Sequence, residues 1–392
     1  MLSTLQNSSI NNISSRITSN SINFSTLSSN FLKNNKVPNP EDRDQVGESV
    51  KLSTLPSVDP IGHIPFLKEA QKITFGRDSK LIKNNEIVSC QANGGTNAIW
   101  LGLSLLQEQY KNPKVYISAK TWGNHKKIVQ YLSDHRGIQM DLNVYPWTDE
   151  NNILLSDQFF KKMSLAEPNS IVVLHACCHN LTGIDLKPKK WKELAQIFAE
   201  KKLHAFFDMA YQGLGSGDLD NDAFALRYFA ENGVTTSVAE SYSKKAGLYG
   251  ARLGVFHHVL PGGLGKEQWE QRAADNLQYF SLKPSALHAE IMYKVLSNNV
   301  LFKDYKEEIR QAYSRIQYIR NLLSDKIEQL TDYDMDFCRT GRGLFTQFNL
   351  DKKYIESLQK EAIFLLPNGR ISLPCLNRSN IDRFVQCIIK YL

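Results

Sequence analysis

The segment that says most about the fold lies at residues 241–254 and reads SYSKKAGLYGARLG. A β-prone run comes just before it, so we predict a strand that delivers Lys244 in a turn rich in hydroxyl groups. An amine in this turn can act as a nucleophile only if partial burial or a nearby cation holds it near neutral, and Lys245 and Arg252 are candidates for that cation. The hydroxyl groups and Arg252 can also hold a phosphate. The segment therefore predicts a reactive lysine beside a phosphate site.

The length and composition of the chain indicate an ordinary globular protein. With 392 residues it can bury a substantial core and divide into two domains, and its hydrophobic content of 42% and charged content of 22% are typical of soluble folds. The net charge of +7 is scattered, and short basic clusters such as residues 187–190 are typical of solvated helix starts, which argues against nucleic-acid binding. No apolar run reaches the ~20 residues that a membrane-spanning helix needs.

The chain has six cysteines, at positions 90, 177, 178, 338, 375 and 387. They follow none of the spacings of metal-finger or CxxC sites. Their apolar neighbours predict buried, reduced thiols in an intracellular compartment. The adjacent Cys177 and Cys178 would point to opposite faces if their segment is a strand. We therefore predict no metal site.

Residues 1–40 differ in composition from the rest of the chain. They contain ten Ser, nine Asn, three cations and no Asp or Glu. Such a segment buries too little apolar surface to offset its chain entropy, so we expect it to be disordered on its own. Its Ser-rich, acid-poor composition is typical of an organellar presequence and predicts a mitochondrial protein. The alternative is a biased low-complexity tail on a cytoplasmic protein.

Beyond residue 60 the apolar residues alternate between strand and helix spacing. Strands are predicted at 87–91, 115–118, 171–176, 203–208 and 343–348, and helices at 69–75, after residue 95, at 189–202, 309–330 and 381–391. Strands that alternate with helices argue for an α/β fold with a mostly parallel sheet flanked by helices. The predicted units are a low-complexity segment or presequence (1–40), a linker or arm (41–59), a large domain (60–285) and a smaller α+β C-terminal domain (286–392).

Two further motifs accompany the lysine segment. Residues 204–213 read HAFFDMAYQG, in which Asp208 ends a hydrophobic strand and Tyr211 follows, and residues 175–183 read HACCHNLTG. Their order and spacing resemble the cofactor-binding motifs of class I aminotransferases of fold type I, specifically the aspartate aminotransferase branch. The resemblance extends over much of the chain. It implies an enzyme that uses pyridoxal phosphate to move an amino group between an amino acid and a 2-oxo acid.

The resemblance gives each candidate catalytic residue a role. Lys244 holds the cofactor and then shuttles the proton of the substrate. Asp208 pairs with the pyridine nitrogen at the open crevice of the sheet, while Tyr211 and Asn180 bind the phenolic oxygen. Arg370, in the motif PNGRIS, clamps the substrate carboxylate through two parallel hydrogen bonds.

Further matches to this family surround the cofactor. A Gly-Gly-Thr turn opens a helix whose free amides and dipole suit a phosphate. An aromatic ring stacks on the cofactor ring and, with Asn180, contacts the substrate. The residues implied in addition are Gly94, Gly95 and Thr96 of the turn, Ser241, Ser243 and Arg252 of the phosphate site, the aromatic Trp122, and His125 behind it. A two-fold homodimer with sites at the interface is implied as well.

The chain departs from the family pattern at several positions. Residues 42–60 do not align with the glycine-containing segment that closes over the substrate. Val58 stands where a tyrosine from the partner subunit is expected, and Leu277 stands near the position of a partner arginine that selects acidic substrates. Leu181 replaces a proline of the asparagine turn. Cofactor attachment is therefore predicted to be intact, whereas closure over the substrate and selectivity for acidic substrates are predicted to be eroded.

Three functions compete at this point. The first is an aminotransferase with its specificity shifted toward apolar or aromatic amino acids. The second is a former aminotransferase that serves as a structural or regulatory subunit of a larger mitochondrial assembly. The third is suggested by Ser241 and Lys244, which fit the Ser-x-x-Lys motif of serine acyl-transfer enzymes. However, the glycines that follow break the helix this motif should open, and Asp208, Tyr211 and Arg370 would be unexplained.

Overall fold

A seven-stranded sheet forms the centre of the protein, as seen in a computed structural model that describes residues 58–281 and 283–392. Residues 1–57 hold the predicted presequence and nearly all of the predicted arm, and these predictions lie outside the described residues. Successive strand residues belong to two different core clusters, as Val172 and Val173 do. Because side chains alternate between the faces of a strand, the sheet is covered on both faces.

The sheet is mostly parallel, as predicted. Its strands are β1 Ile87–Asn93, β2 Lys114–Ser118, β3 Asp141–Tyr145, β4 Ile171–His175, β5 His204–Met209, β6 Thr236–Ser241 and β7 Leu253–Val259. Their order across the sheet is β1-β7-β6-β5-β4-β2-β3, and only β7 pairs antiparallel with its neighbours β1 and β6. The chain between β6 and β7 is too short to hold a crossover helix that returns to a parallel start, so β7 runs back beside β6.

Helices connect the strands and cover the sheet. Up to β7 the described helices are α1 Ile64–Phe75, α2 Lys80–Lys83, α3 Gly95–Gln109, α4 Asn124–His135, α5 Ser156–Ser164, α6 Pro188–Lys201, α7 Leu219–Asp222, α8 Phe224–Glu231 and α9 Tyr242–Lys245. After β7 they are α10 Lys266–Ser281, α11 Ala286–Ser297, α12 Asn299–Glu328, α13 Asp336–Arg339, α14 Lys352–Lys360 and α15 Ile381–Ile388. Within the ranges that the structure describes, none of these helices is long and apolar enough to cross a membrane.

Helix α3 lies unusually close to the sheet. A side chain at Gly102 would place its Cβ 2.4 Å from the ring of Phe256 and 2.7 Å from the ring of Phe206. Only glycine leaves room for both rings, so Gly102 lets the helix pack directly on strands β5 and β7. This close packing fixes the amino end of α3 beside the carboxyl end of β6.

The C-terminal part contains the long helix α12 and a two-stranded sheet of β8 Phe345–Gln347 and β9 Arg370–Ser372. The apolar residues predicted on one face of α12 are buried from Ile309 to Ile327, apart from the half-buried Tyr313, but Leu330 lies beyond the helix and is 60% exposed. The helix ends earlier than predicted because residues 329 and 330 enter a turn. Helix α11 packs against α1, with Glu290 bonded to His63 at 2.8 Å, and the division into domains at 285 stays a prediction.

The cysteines are all free thiols. Five of them are buried as predicted, whereas Cys375 is exposed and does not fit that prediction. Cys375 ends a short 3-10 turn after β9, where its side chain points away from the core. Strand β4 ends at His175, so Cys177 and Cys178 follow the strand instead of forming part of it.

Candidate active site

The predicted site residues gather at the carboxyl ends of the parallel strands. Asp208 lies near the end of β5, Lys244 follows β6, Asn180 lies in the loop after β4, and Trp122 follows β2. These strands are neighbours in the sheet, so their ends meet at one edge. Arg370 reaches this edge from β9 in the C-terminal part.

Lys244 lies in the four-residue helix α9, which Ser241 caps by accepting a hydrogen bond from the amide of Ser243 at 3.3 Å. The Nζ atom of Lys244 is 5.3 Å from the centre of the Tyr211 ring. Burial lowers the pKa of the Lys244 amine, and Arg252 and Arg370 lower it further, against the opposing charge of Asp208. A lowered pKa gives the amine a larger neutral, nucleophilic fraction.

Lys245 does not supply the cation that the sequence suggested. Its side chain points into the core, where it forms an ion pair with Glu240, and both side chains are fully buried. The positive field at Lys244 comes instead from Arg252 and Arg370. Neighbours in a short helix point in different directions, so adjacency in sequence does not place two charges together.

Asp208 is a buried carboxylate within strand β5 and not a helix cap. Its Oδ2 atom accepts a hydrogen bond from Nε2 of His125 at 3.1 Å, and Nδ1 of His125 lies 2.8 Å from the hydroxyl of Thr121. Because a carboxylate only accepts, Nε2 of His125 carries the proton. Burial alone would raise the pKa of Asp208, but the hydrogen bond and the charges of His125 and Lys244 lower it, so Asp208 is ionised at neutral pH.

A chain of hydrogen bonds joins Tyr211, Asn180 and Arg370. The Nδ2 atom of Asn180 donates to the hydroxyl of Tyr211 at 3.2 Å, and Nη1 of Arg370 donates to Oδ1 of Asn180 at 2.7 Å. The guanidinium of Arg370 also lies 4.1 Å from the centre of the Phe345 ring. Stacking on an aromatic ring leaves the guanidinium edge available for a planar anion.

The amino end of α3 meets Arg252 and the lysine turn. Gly94 has φ 83° and leads into α3, and a Cβ on it would lie 2.3 Å from Nη2 of Arg252. A Cβ on Gly95 would lie 2.8 Å from Cβ of Ser241. Two glycines are therefore needed for the helix amides, the arginine and the hydroxyl groups to converge. The hydroxyl of Ser243 accepts from Nη1 of Arg252 at 3.4 Å.

Thr96 and Trp122 are two further residues that were predicted to bind the cofactor. Thr96 lies in the first turn of α3 and is exposed. Trp122 is half-buried beside the Asp208 pocket, and its ring meets the ring of His125 edge-on at 5.5 Å. The predicted cofactor-binding residues thus follow the carboxyl ends of neighbouring strands or lie at the start of α3.

Three residues of the site were missed from the sequence. Phe345 supports both Arg370 and Tyr211, whose ring it meets edge-on at 6.0 Å. His175 and His179 are buried behind His125, and neither ring nitrogen of His175 has a hydrogen-bond partner. The paired histidines of the HACCHN motif were a usable signal, because buried histidines next to an ionised carboxylate are uncommon outside functional sites.

The two positions at which a partner residue was expected differ in their surroundings. Val58 is half-buried at the start of the described residues. Leu277 is 1% exposed and packs in the core on α10, between Asn276, which is bonded to Ser104, and the exposed Gln278. Leu277 is thus an apolar residue packed in the core of its own chain, and its place near the position of a partner arginine stays a prediction.

Comparison with known proteins identifies aminotransferases as relatives. The family described as "Aminotransferase class I and II" matches residues 24–388. The aspartate aminotransferase P2, mitochondrial, of Lupinus angustifolius is 31% identical over 332 residues, covering 84% of this chain and 72% of the relative.

Solved structures agree in fold. The aromatic-amino-acid aminotransferase of Burkholderia pseudomallei, covalently bound to pyridoxal phosphate, is 28% identical with a TM-score of 0.82, covering 89% of this chain and 86% of that one. The broad specificity aminotransferase of Leishmania mexicana is 29% identical with a TM-score of 0.83, covering 90% and 87%. The overall fold is that of these relatives, with a central mostly parallel sheet flanked by helices.

Proposed function

Because the chain belongs to the class I and II aminotransferases and is a transaminase that uses pyridoxal phosphate, we propose that Lys244 holds the cofactor and that Asp208, Tyr211 and Arg370 complete the active site. The observation that carries this proposal is the position of the Lys244 amine. It has a lowered pKa and lies at the strand ends, 5.3 Å from the Tyr211 ring.

The groups that converge at the amino end of α3 have the chemistry of a phosphate site. The helix amides and dipole at Gly95, the hydroxyl groups of Ser241 and Ser243 and the guanidinium of Arg252 are donors that suit a dianion. The two glycines leave room at the start of the helix for the side chains of Arg252 and Ser241. These residues fit the phosphate group of pyridoxal phosphate, and Lys244 lies one turn away.

Each residue has a distinct task in the proposed mechanism. Pyridoxal phosphate, when bound, supplies the electron sink that makes the Cα proton of the amino acid acidic. Asp208 stays ionised and stabilises positive charge on the ring nitrogen. The neutral amine of Lys244 would accept the proton from Cα of the amino acid and deliver it to the cofactor carbon that receives the amino group. Burial raises the pKa of Tyr211, so its hydroxyl stays protonated and donates a hydrogen bond, oriented by Asn180.

We predict that Arg370→Leu lowers kcat/KM for amino acids on the order of 10²–10³-fold, because a substrate carboxylate without its partner loses on the order of 3–5 kcal/mol. Steady-state kinetics on purified variants measures this. Arg370→Lys keeps the charge but not the two parallel bonds, so it should recover only part of the loss. Arg378→Leu, which removes a guanidinium bonded to Tyr318 elsewhere on the C-terminal part, is the matched control. Equal kcat/KM for Arg370→Leu and the control would contradict the clamp.

The proposed substrates are amino acids with apolar or aromatic side chains. This rests on Leu277, which stands near the position of an acid-selecting arginine and is buried in its own core. We predict that kcat/KM for phenylalanine exceeds that for aspartate by about tenfold or more, since the second carboxylate of aspartate lacks a guanidinium. Both substrates share the α-carboxylate, so Arg370→Leu should reduce both equally. A higher kcat/KM for aspartate would overturn this assignment.

Two experiments test the proposed function as a whole. Titration of the holo-protein with a panel of amino acids should shift its absorbance band, and reduction with borohydride followed by peptide mapping should find a pyridoxyl adduct on Lys244. A band that no amino acid shifts would favour a structural or regulatory subunit instead. An adduct on another lysine would refute the assignment of Lys244.

We also propose that the protein is a mitochondrial homodimer. The Ser-rich, acid-poor composition of residues 1–40 and the name of the lupin relative support the mitochondrial location. The dimer is what membership of the family implies. Light scattering of the purified protein measures the oligomeric state, and a monomeric mass would refute the dimer. A fluorescent protein fused after residue 40 should enter mitochondria, and a diffuse cytoplasmic signal would refute the location.

A further inference from the structure

A buried network of charges lies beneath the turn that carries Lys244. Lys245 and Glu240 form an ion pair with both side chains fully buried. The other carboxylate oxygen of Glu240 accepts from Nε2 of His257 at 3.2 Å, and Nδ1 of His257 lies 2.7 Å from the hydroxyl of Ser89. Burial would raise the pKa of Glu240, but Lys245 and His257 lower it to about 2. Glu240 is therefore a carboxylate at every pH at which the protein would work.

The same lysine reaches a second loop of the site. The Nζ atom of Lys245 donates to Oε1 of Gln212 at 3.0 Å. Gln212 is itself fully buried and donates through Nε2 to the carbonyls of Ile73 at 3.0 Å and Leu219 at 3.1 Å. Lys245 directly follows Lys244, and Gln212 directly follows Tyr211. One buried bond therefore ties the loop of the amine to the loop of the phenol.

This buried network is expected to contribute little to the stability of the fold. Two charges removed from water seldom stabilise a fold more than well-packed apolar residues of similar size would. Helix α9 has only four residues, which is too short to hold its own geometry in isolation. A fixed contact from outside the helix therefore has a structural task that packing of the helix alone does not perform.

We propose that Lys245 is a positioning residue for the transamination reaction. Through its bond to Gln212 it sets the place of the Lys244 amine relative to Tyr211, and Glu240 keeps Lys245 charged and fixed. Lys245 touches neither substrate nor cofactor in this arrangement. The proposal rests on the proposed role of Lys244 and extends it to the residues below.

The test must avoid a variant that merely fails to fold. Lys245→Met alone would leave the buried carboxylate of Glu240 without its lysine partner, so the informative variant is Glu240→Gln with Lys245→Met, which removes both charges. Gln212→Met cuts the same bond from the other end and leaves the ion pair in place. The ring of Tyr242 packs edge-on against Phe66 at 5.2 Å, and none of the substitutions removes this contact of the turn with the core.

We expect the Glu240→Gln/Lys245→Met variant and Gln212→Met each to lower kcat by about 10–100-fold while KM stays within about threefold, because a displaced amine slows proton transfer and Arg370 still binds substrate. Combining all three substitutions should give no further loss of kcat, since each of the two variants already lacks the bond between Lys245 and Gln212. Losses that multiply in the combination, or an unchanged kcat with a lower unfolding temperature alone, would overturn the proposal.

A second readout is independent of the cofactor. In the protein without pyridoxal phosphate, the rate at which Lys244 is carbamylated by cyanate, followed by mass spectrometry, should change several-fold in both variants. Phe198→Leu, in a buried core position of α6, is the control for lost stability and should change neither this rate nor kcat. If borohydride reduction of the wild type places the pyridoxyl adduct on a residue other than Lys244, the proposed role of Lys244 fails. The carbamylation rates would still show whether Lys245 positions the Lys244 amine.

Discussion

Lys244→Ala should abolish covalent attachment of pyridoxal phosphate and lower kcat on the order of 10⁴-fold, because the amine that carries the cofactor is also the group that moves the proton. The amine is held partly neutral by burial and by Arg252 and Arg370. Borohydride reduction with peptide mapping measures the attachment, and single-turnover kinetics with phenylalanine measures the rate.

Two comparisons make this prediction specific to the amine. A small primary amine added to Lys244→Ala should restore part of the rate, because it supplies the missing base in the space the side chain has left. Lys114→Ala, which removes an amine paired with Glu167 on the surface, should behave as wild type. Full activity in Lys244→Ala, or an adduct that persists in it, would remove Lys244 from the mechanism.

Asp208→Asn should lower kcat by about 10³-fold with little change in folding, which is the second largest effect we expect. The carboxylate has a lowered pKa and therefore carries its charge over the neutral range, whereas an amide has no charge to stabilise a protonated ring nitrogen. The amide can still accept from His125, so the local geometry is kept. Steady-state kinetics and thermal unfolding of both proteins measure the two effects.

A charge-conserving variant separates charge from position. Asp208→Glu keeps the negative charge but moves it by one methylene group, so its kcat should lie between those of Asp208→Asn and the wild type. If the asparagine variant is as active as the wild type, Asp208 has no electrostatic role. If both variants unfold, its role is structural, through His125.

The sequence located the residues of the site better than their contacts. Motifs placed Asp208 at the end of a strand and Lys244 after another, and parallel strand ends share one edge of a sheet. Hydrophobic spacing also predicted most strands to within a few residues. Strands β3 and β7 were not predicted. The antiparallel direction of β7 could not be predicted either, because spacing reports which side chains are buried and not which strand lies beside them.

Contacts between distant parts of the chain were the main feature that the sequence did not predict. Arg370 and Asn180 meet although 190 residues separate them, and Phe345 stacks on Arg370 from a different strand. Lys245 was expected beside Lys244 as a free cation, whereas Glu240 neutralises it inside the core. Each of these depends on the direction of a single side chain, which local pattern does not determine.

The reading as a non-catalytic subunit was motivated by the departures at Val58 and Leu277 and by residues 42–60. These departures are at positions other than Lys244, Asp208 and Tyr211 themselves. The relatives are aminotransferases by name, and the fold matches theirs over most of the chain. The departures therefore bear on which amino acid is used more than on whether the chemistry is retained.

The side chain of Asn180 forms hydrogen bonds with two residues of the proposed site at the same time. Its amide nitrogen serves Tyr211, and its oxygen serves Arg370. A guanidinium has enough donors to grip an incoming carboxylate and keep this amide, but each new bond it makes weakens the older one. If Arg370 binds the substrate carboxylate as proposed, we expect this binding to change the hydrogen bond between Asn180 and Tyr211, and we expect an acid that lacks an amino group to have the same effect.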